Sequence, residues 1–358
     1  MGQLEQIRLV LDNIVFSLQK TGGGSVYWAN LEQSCVDDER FDVAIIERED
    51  AAANLSRQSM DIGKQLIVDA GHIPLRLDEV RSVPSEVHGL FHSSFYRFGK
   101  GRSCINVTTV HDFICMKQYS GLLKWFSFWQ IARAVKHSKA VICITESTKQ
   151  DLLHYLPSAK EKLIEVIHQG FDNRVYTYEP CERLNQVVFI GARKVGYKNF
   201  KAAVESVSLL PHTRLIIIGS PLSSEEEAML SEALPGRFEA TGFLPASDIC
   251  NIFRSSIALL YLSEYEGFGV PPLEAMASGL PVIALNRSSI PEVVGDAAIL
   301  LENANPEAVA KRISELLVDK DLFRNLVSKG LDRASLFSWE RTADKTKEFY
   351  RRVWRQFG

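Results

Sequence analysis

The run from Glu266 to Glu274 combines residue types that suit phosphate and hydroxyl groups. It reads Glu-Gly-Phe-Gly-Val-Pro-Pro-Leu-Glu, with a carboxylate at each end. Prolines fit the first helical positions, where a missing N–H costs nothing, so the pattern predicts a helix that begins directly after a glycine loop. The backbone N–H groups and positive dipole end of such a helix favour phosphate. Carboxylates accept hydrogen bonds from hydroxyls, so the run predicts a diphosphate site flanked by polyols.

Two cations follow the predicted strand Val187–Gly191. Arg193 offers a planar fork to phosphate and Lys198 a point charge. Fixed cations can stabilise the negative charge of a phosphate group without a metal. The spacing differs from a P-loop, because no Ser or Thr follows Lys198. A pair of ordinary surface charges is the alternative.

A glycine run lies between the first predicted strand and the first predicted helix, in Thr21–Tyr27. Glycines allow a backbone to approach a ligand closely, and we expect Gly23 and Gly24 to make such contacts. The run lacks the spaced glycines of a dinucleotide fingerprint. A mobile loop explains it equally well.

A histidine, His111, stands at the carboxyl end of the predicted strand Ile105–Val110. Ligands of parallel α/β sheets bind at that end of the strands, so the position predicts a role in the site. A histidine packed within a loop is the alternative.

The sequence gives little support for a bound metal. Asp319-Lys320-Asp321 has the form of a metal-binding Asp-x-Asp, but it lies between helical segments and is interpreted as a helix-connecting turn. The six cysteines are scattered without a CxxC pair, which argues against zinc or a disulfide framework and favours a reducing compartment. We therefore expect no essential metal or cofactor.

Composition predicts a two-domain protein of the cytoplasm. The 358 residues exceed the usual size of one hydrophobic core. A net charge of -3 gives no reason to expect nucleic acid as a partner. No stretch approaches the roughly 18 apolar residues of a membrane span. Met1–Leu11 is interpreted as a first strand rather than a signal peptide.

Short apolar strands alternate with helical patterns along the chain, which predicts parallel α/β sheets covered on both faces. The predicted strands are Ile7–Val15, Val43–Ile46, Gln65–Val68, Ile105–Val110, Ala140–Ile144, Val187–Gly191, Leu215–Gly219, Phe238–Thr241, Ala258–Tyr261 and Pro281–Ala284. We predict an acceptor-side domain over 1–180, a nucleotide-sugar domain over 181–340, and a terminal helix over 341–358 that packs back on the first domain.

An aromatic segment, Trp125–Trp129, is flanked by the basic residues Lys124, Arg133, Lys136 and Lys139. Ile131 and Val135 continue a core-like pattern, so the preferred interpretation is a helix whose aromatics are buried in the first domain. An amphipathic helix lying on an anionic membrane is the alternative, and peripheral contact with the inner membrane stays open.

With these motifs in place, the chain resembles family 4 of the retaining, nucleotide-sugar-dependent glycosyltransferases. The resemblance is densest from Val187 to Leu301 and includes the helix end and strand Ala277–Ala284. It implies the GT-B architecture, in which two Rossmann-like domains with parallel sheets face a central cleft.

The resemblance also implies roles for particular residues. Glu274 would hold the ribose hydroxyls of the donor, and Glu266 would lie near the transferred sugar. Arg193 and Lys198 would neutralise the diphosphate, and His111 would contact the sugar or position the acceptor. Backbone groups would complete the donor site at Gly23, Gly24, Gly267, Phe268, Gly269 and Val270.

The residues of the motif from Gly267 to Ala277 resemble those of bacterial mannosyltransferases of surface-polysaccharide synthesis. It implies transfer of a hexose, first of all mannose from GDP-mannose, with UDP- and dTDP-sugars next. The acceptor would be a hydroxyl of a glycan or of a lipid-linked intermediate in lipopolysaccharide O-antigen or capsule synthesis. Two alternatives remain: a nucleotide-sugar 2-epimerase of similar fold, and a non-catalytic subunit that binds sugar nucleotides.

Overall fold

The chain divides into two compact units. The computed structural model describes residues 6–63, the backbone of 66–68, and residues 87–358. The first unit extends to Gly170 and resumes at Trp339, and the second unit is Phe171–Ser338. Gln65, where one strand was predicted to begin, and Met1–Glu5, the start of the predicted N-terminal strand, lie outside the described residues.

The described part of the first unit contains one parallel sheet of seven strands. They are β1 Ile7–Asp12, β2 Phe41–Glu47, β3 Leu66–Val68, β4 Gly89–Ser93, β5 Cys104–Val110, β6 Ala140–Cys143 and β7 Leu163–Val166. Their order across the sheet is β3-β2-β1-β4-β5-β6-β7, and each neighbouring pair is parallel. The chain therefore reverses direction across the sheet between β1 and β4.

The first predicted strand extends too far. β1 ends at Asp12, and a short helix begins at Ile14, where the prediction continued the strand to Val15. Apolar residues run unbroken through Ile14, Val15 and Phe16, and all three are buried. A short apolar run of this kind does not distinguish a strand from a buried helical turn.

Helices cover the sheet of the first unit. They are α1 Ile14–Leu18, α2 Gly23–Val36, α3 Leu55–Gln58, α4 Ile114–Gln118, α5 Gly121–His137, α6 Glu146–Tyr155 and, after the second unit, the terminal helix α14 Trp339–Phe357. Trp28 of α2 and Phe349 and Val353 of α14 are buried in one core with β1 and β2. The Tyr350 hydroxyl lies 2.5 Å from Nδ1 of the buried His92. The terminal helix is thus part of the first unit.

The aromatic segment of α5 is not buried, so the preferred interpretation of it is wrong. Trp125 is 59% exposed, Phe126 42% and Trp129 47%. The helix buries its other side, through Ile131, Val135 and neighbouring residues. Periodicity places apolar residues on one face of a helix but does not say whether that face meets the core.

The second unit, described throughout, contains a parallel sheet of six strands. They are β8 Gln186–Ile190, β9 Arg214–Ile218, β10 Phe238–Gly242, β11 Ala258–Tyr261, β12 Val282–Leu285 and β13 Ile299–Leu301. Their order is β10-β9-β8-β11-β12-β13, with parallel pairing at every step. The chain reverses between β8 and β11. Ligands of open α/β sheets bind at such a switch point, outside the carboxyl ends of the strands.

The helices of the second unit lie on both faces of its sheet. They are α7 Phe200–Ser208, α8 Ser224–Ala233, α9 Ala246–Arg254, α10 Val270–Ala277, α11 Ile290–Val294, α12 Pro306–Val318 and α13 Lys320–Ala334. The predicted fold class, two Rossmann-like units each built on a parallel sheet, is confirmed. None of the described helices combines the length and apolar character needed to cross a membrane.

Candidate active site

Two predicted site residues of the second unit, Lys198 and Glu266, lie together at its switch point. Lys198 lies in a short 3₁₀ turn after β8, and Glu266 lies in the loop after β11, the neighbouring strand. Backbone and side-chain hydrogen bonds tie the two loops together, from Glu264 N to Tyr197 O at 2.8 Å and from Asn199 Nδ2 to Leu262 O at 2.9 Å. The sheet order therefore brings together side chains that are 68 residues apart in sequence.

Lys198 and Glu266 form an ion pair with little exposure to solvent. The Lys198 ammonium donates to Glu266 Oε1, and the two side chains are 12% and 15% exposed. The same ammonium lies 5.4 Å from the ring centre of Tyr261, at the end of β11. Burial, and then the charge of Glu266, hold the pKa of the Tyr261 hydroxyl well above its usual value, so it stays protonated. The ammonium is thus held in a partly buried environment, where its attraction to an anionic group is stronger than in bulk water.

The loop that carries Glu266 is held by two serines after β12. Glu266 N donates to Ser288 Oγ at 2.8 Å. Ser289 Oγ lies 2.9 Å from both Glu266 O and Phe268 O. Ser288 has a φ of 45°, which is uncommon for a residue other than glycine. Local strain of this kind persists where surrounding contacts over-determine the backbone, and it is frequent at functional sites.

The helix predicted after the glycine loop is present as α10. It begins at Val270, with Pro271 and Pro272 in its first turn, and Gly269 precedes it with a φ of 106°. The backbone conformation favours glycine, and an added Cβ at Gly269 would lie 2.9 Å from Cδ1 of Ile290, so the end of that side chain would have to shift. Phe268 is buried against Phe337. Its side chain is therefore taken up by the core, and the backbone contacts predicted at Gly267, Phe268, Gly269 and Val270 stay predictions.

Glu274, in the middle of α10, has an unusual environment. Burial raises the pKa of its carboxyl to about 7. A hydrogen bond from the Tyr176 hydroxyl opposes that shift, and the charge of Asp172 adds to it. The carboxyl group is therefore poised between its neutral and ionised forms near pH 7, and an added hydroxyl donor would favour the ionised form.

Arg193 lies in the same loop after β8 as Lys198, but its side chain is already engaged by other residues of the second unit. Its guanidinium bonds Glu226 on α8, with Nε to Oε1 at 3.0 Å, and donates to Ser220 O at 2.7 Å. The side chain is 1% exposed, and Nη1 is buried without a hydrogen-bond partner. Its predicted contact with a diphosphate stays a prediction, and it requires the pair with Glu226 to open.

In the first unit, the glycine run forms the start of helix α2, after β1 at the switch point of that sheet. Gly23 and Gly24 occupy the first helical positions. Gly23 is exposed, and a Cβ built on it would meet no atom within 4 Å. The protein's own packing therefore does not require glycine at Gly23. The first N–H groups of a helix have no partner within the helix, which makes this a place for an anion.

His111 follows β5 of the same sheet and is half-buried. Burial lowers the pKa of its imidazole to about 4, so the ring is neutral at pH 7. Its Nδ1 lies 3.1 Å from Nε2 of Gln169, and its ring meets Tyr27 edge-on at 5.1 Å. An amide nitrogen can only donate, so Nδ1 is the acceptor and Nε2 carries the proton. His111 therefore offers one N–H donor.

Several residues of these clusters were not predicted. Tyr176, Tyr261, Ser288 and Ser289 contact the predicted glutamates or their loop. Tyr261 is the last residue of β11, and the two serines lie shortly after β12. The rule that ligands bind at strand ends could therefore have indicated them. Tyr176 lies in irregular sequence almost 100 residues before Glu274, and no spacing signals it.

Asp319 acts as a helix cap, as its interpretation as a turn requires. Its carboxylate accepts from the backbone N–H of Asp321 and of Leu322 at the start of α13. Within the residues that the structure describes, no cluster of three or more His, Cys, Asp or Glu side chains has the arrangement of a metal site.

Two family models match the chain, one in each unit. Residues 21–174 match Glycosyltransferase Family 4, and residues 181–333 match Glycosyl transferases group 1. Together they span the glycine run, His111, Lys198, Glu266 and Glu274.

Curated relatives match parts of the chain. O-antigen chain mannosyltransferase B of Escherichia coli is 32% identical over 162 residues, which are 43% of this chain and 42% of that protein. Alpha-maltose-1-phosphate synthase of Mycolicibacterium smegmatis is 29% identical over 259 residues, 63% of this chain and 66% of that protein. The chain thus spans less than two thirds of the length of these relatives.

Among solved structures, HepE of Anabaena in complex with UDP and glucose superposes with a TM-score of 0.72 at 16% identity. The match covers 96% of this chain and 99% of HepE. At that identity the likeness concerns the fold.

Proposed function

Because the chain belongs to the family 4 glycosyltransferases, we propose that it transfers a hexose from a nucleoside diphosphate sugar to a hydroxyl acceptor, with retention at the anomeric carbon. The observation that carries the proposal is the pair of Lys198 and Glu266 at the switch point of the second unit, next to the start of α10. Cation, carboxylate and helix N-terminus match the diphosphate and the sugar hydroxyls of such a donor.

The proposed reaction is a displacement on one face of the sugar. The acceptor oxygen bonds to the anomeric carbon as the bond from that carbon to the phosphate oxygen breaks. The leaving diphosphate takes the bonding electrons, and one of its oxygens takes the acceptor's proton. Lys198 stabilises the growing charge, as an ammonium fixed by Glu266 and Tyr261 needs no reorganisation. The scheme requires no metal, so EDTA should leave the rate unchanged.

The remaining residues receive supporting roles. Glu274 accepts from the ribose hydroxyls in its ionised form. The single N–H of neutral His111 donates to a sugar or acceptor oxygen, which suits a positioning group better than a base. The backbone N–H groups of Gly23 and Gly24, in the first turn of α2, bind an anionic group of the donor. Arg193 joins the diphosphate site if Glu226 releases it.

For the donor we propose GDP-mannose, with a UDP-sugar as the second choice. Support for mannose comes from two relatives of Escherichia coli, which are named O-antigen chain mannosyltransferase B and serotype-specific mannosyltransferase WbdA. Support for a UDP-sugar comes from HepE, whose structure holds UDP and glucose. The acceptor we propose is a glycan or lipid-linked hydroxyl in bacterial surface-polysaccharide assembly on the cytoplasmic side. The six cysteines, none of them in a disulfide, accord with a reducing compartment.

A two-stage experiment tests the proposal. A thermal-shift screen of nucleoside diphosphates and their sugars identifies the donor, and transfer from that donor is then followed by mass spectrometry. Glu266→Ala should lower turnover about 100-fold or more while changing nucleotide affinity little, because the carboxylate contacts the sugar rather than the base. Turnover equal to that of the unchanged protein would remove Glu266 from the reaction.

The same assay separates the alternatives. Conversion of the donor in the absence of any acceptor would support a 2-epimerase instead. Donor binding without transfer or hydrolysis across a panel of acceptors would support a non-catalytic subunit.

A further inference from the structure

The exposed side of α5 is an apolar surface that the fold and the proposed reaction do not explain. Four residues spaced along one helical face, Leu122, Trp125, Phe126 and Trp129, present large apolar side chains to solvent. Leu122 is 89% exposed and Trp125 59%. We call these four residues the aromatic face. Apolar side chains scattered singly are ordinary on a protein surface, but a contiguous stripe of this size marks an interaction site.

The spacing makes the aromatic face one continuous stripe. Positions 122, 125, 126 and 129 follow the i, i+3, i+4, i+7 rule of a single helix side. The rings of Phe126 and Trp129 are stacked with centres 6.1 Å apart, so they offer a joined surface. The opposite side of the helix holds the buried Ile131 and Val135. The helix thus has two apolar sides, and only one of them is used by the fold.

The positive charge of the segment around α5 indicates an anionic partner. Between Asp112 and Glu146 the sequence contains five Lys or Arg residues and no Asp or Glu, in a chain whose net charge is -3. Lys124 extends over the ring of Trp125 at 5.8 Å. The exposed Lys136 follows Arg133 by one helical turn and Trp129 by two. Asp151 of α6 pairs with Lys117 and neutralises one of these five charges. The other four basic residues keep the segment positively charged.

We propose that the aromatic face docks the first unit onto an anionic lipid bilayer. Trp residues favour the boundary between head groups and acyl chains, and Lys side chains extend from such a boundary to the phosphates. Interfaces between proteins are instead depleted in Lys, which disfavours a second copy of this chain as the partner. The helix lies on the bilayer and does not enter its core. The inference does not depend on the proposed chemistry.

Vesicle sedimentation tests this inference. The full chain is mixed with vesicles of phosphatidylcholine alone or of phosphatidylcholine with phosphatidylglycerol. We expect binding to the mixed vesicles, and binding to the neutral ones weaker by about tenfold or more, since each basic residue near an anionic surface contributes roughly one kcal/mol to binding. The emission of Trp125 and Trp129 should shift to the blue on binding.

Two variants and a control localise the effect. Trp125→Ser with Trp129→Ser should weaken binding to mixed vesicles about tenfold or more. Lys124→Gln with Lys136→Gln should weaken it by a similar factor and reduce its dependence on salt. Phe243→Ser is the matched control, because Phe243 is 79% exposed but lies in the second unit. Circular dichroism confirms that each variant is folded.

Three results would overturn the inference. One is undiminished vesicle binding by the double Trp variant. Another is equal binding to neutral and anionic vesicles. The third is self-association in analytical ultracentrifugation that the Trp variant abolishes, with no vesicle binding, because the face would then join two copies of the chain. None of these measurements uses a donor or acceptor, so their failure leaves the proposed transfer reaction untouched.

Discussion

At the scale of single residues, Glu274 sets a condition on the proposed nucleotide contact. Burial holds the pKa of its carboxyl near 7, with Tyr176 and Asp172 acting in opposite directions on it. A ribose diol that donates two hydrogen bonds favours the ionised form, in which both carboxylate oxygens only accept. Donor binding and deprotonation of Glu274 are therefore coupled, and the donor should lower the pKa of this carboxyl.

This coupling gives a pH-dependent prediction. The affinity for the nucleotide should rise as the pH increases from 6 to 8, because more Glu274 is ionised before binding. Glu274→Gln should bind about tenfold more weakly at pH 8, with a smaller difference at pH 6. Calorimetry at both pH values provides the measurement. Taking the ratio of the two proteins cancels the titration of the phosphates, and a ratio that stays constant with pH would contradict the assignment.

Sequence predicted some of these residues and could not predict others. Lys198 was expected because it follows a strand, and Glu266 because its glycine run precedes a proline-started helix. The two meet because parallel strands end at one edge of a sheet. The ion pair between Arg193 and Glu226 was not expected. Glu226 reaches Arg193 from another helix, 33 residues later, and no local pattern encodes such a contact.

At the scale of elements, the start of α10 depends on one glycine. Gly269 places the chain in the left-handed region at the point where the loop from β11 turns into the helix. Ile290 of α11 lies against it, and Ser289 of the same segment binds the carbonyl of Phe268. The N-terminus of α10 and the loop of Glu266 are therefore fixed by one shared set of contacts.

A pair of glycine substitutions tests this dependence. Gly269→Ala should destabilise the protein by about 2–4 kcal/mol, from the unfavourable φ and from contact with Ile290. Gly196→Ala is the matched control, because a Cβ there meets no atom within 4 Å and its φ is not in the left-handed region. Urea unfolding followed by circular dichroism compares them. Equal stability of the two variants would show that Gly269 does not determine this helix start.

Strand prediction failed where side-chain patterns were weak. β4 Gly89–Ser93 lies in the middle of its sheet, yet it contains glycine, histidine and serine instead of a run of branched residues. β7 and β13 are short and lie at sheet edges. The prediction that the aromatic side chains of α5 are buried was wrong for a different reason. The apolar pattern of a helix does not reveal what covers each of its faces.

At the scale of the whole molecule, four buried titratable groups act on stability in opposite directions. Burial raises the pKa of Glu32 to about 8 and of Glu274 to about 7, so unfolding releases protons and stability falls as the pH rises above about 4.5. Burial lowers the pKa of His92 to about 3 and of His111 to about 4, so stability falls as the pH drops below about 6.5. These four groups together favour maximal stability between about pH 4.5 and about pH 6.5.

Glu32 offers a direct test of this balance. Its Oε1 accepts from Asn13 at 3.1 Å, while its buried Oε2 has no hydrogen-bond partner, as suits a protonated carboxyl group. Glu32→Gln should gain stability relative to the unchanged protein as the pH rises from 5 to 8, by about 1 kcal/mol or more. Urea unfolding at the two pH values measures it, with the exposed Glu39→Gln as the control for loss of one charge. A stability difference independent of pH would show that Glu32 is ionised in the native state.

The return of α14 to the first unit has a consequence for synthesis on the ribosome. Tyr350 and its partner His92 are 258 residues apart, and all of Phe171–Ser338 is made between the two parts of the first unit. At ordinary elongation rates that interval lasts on the order of ten seconds. The surface that later receives Phe349 and Val353 is uncovered during that time. The second unit, which is contiguous, has all of its residues available before the first unit does, so the order of completion reverses the order of translation.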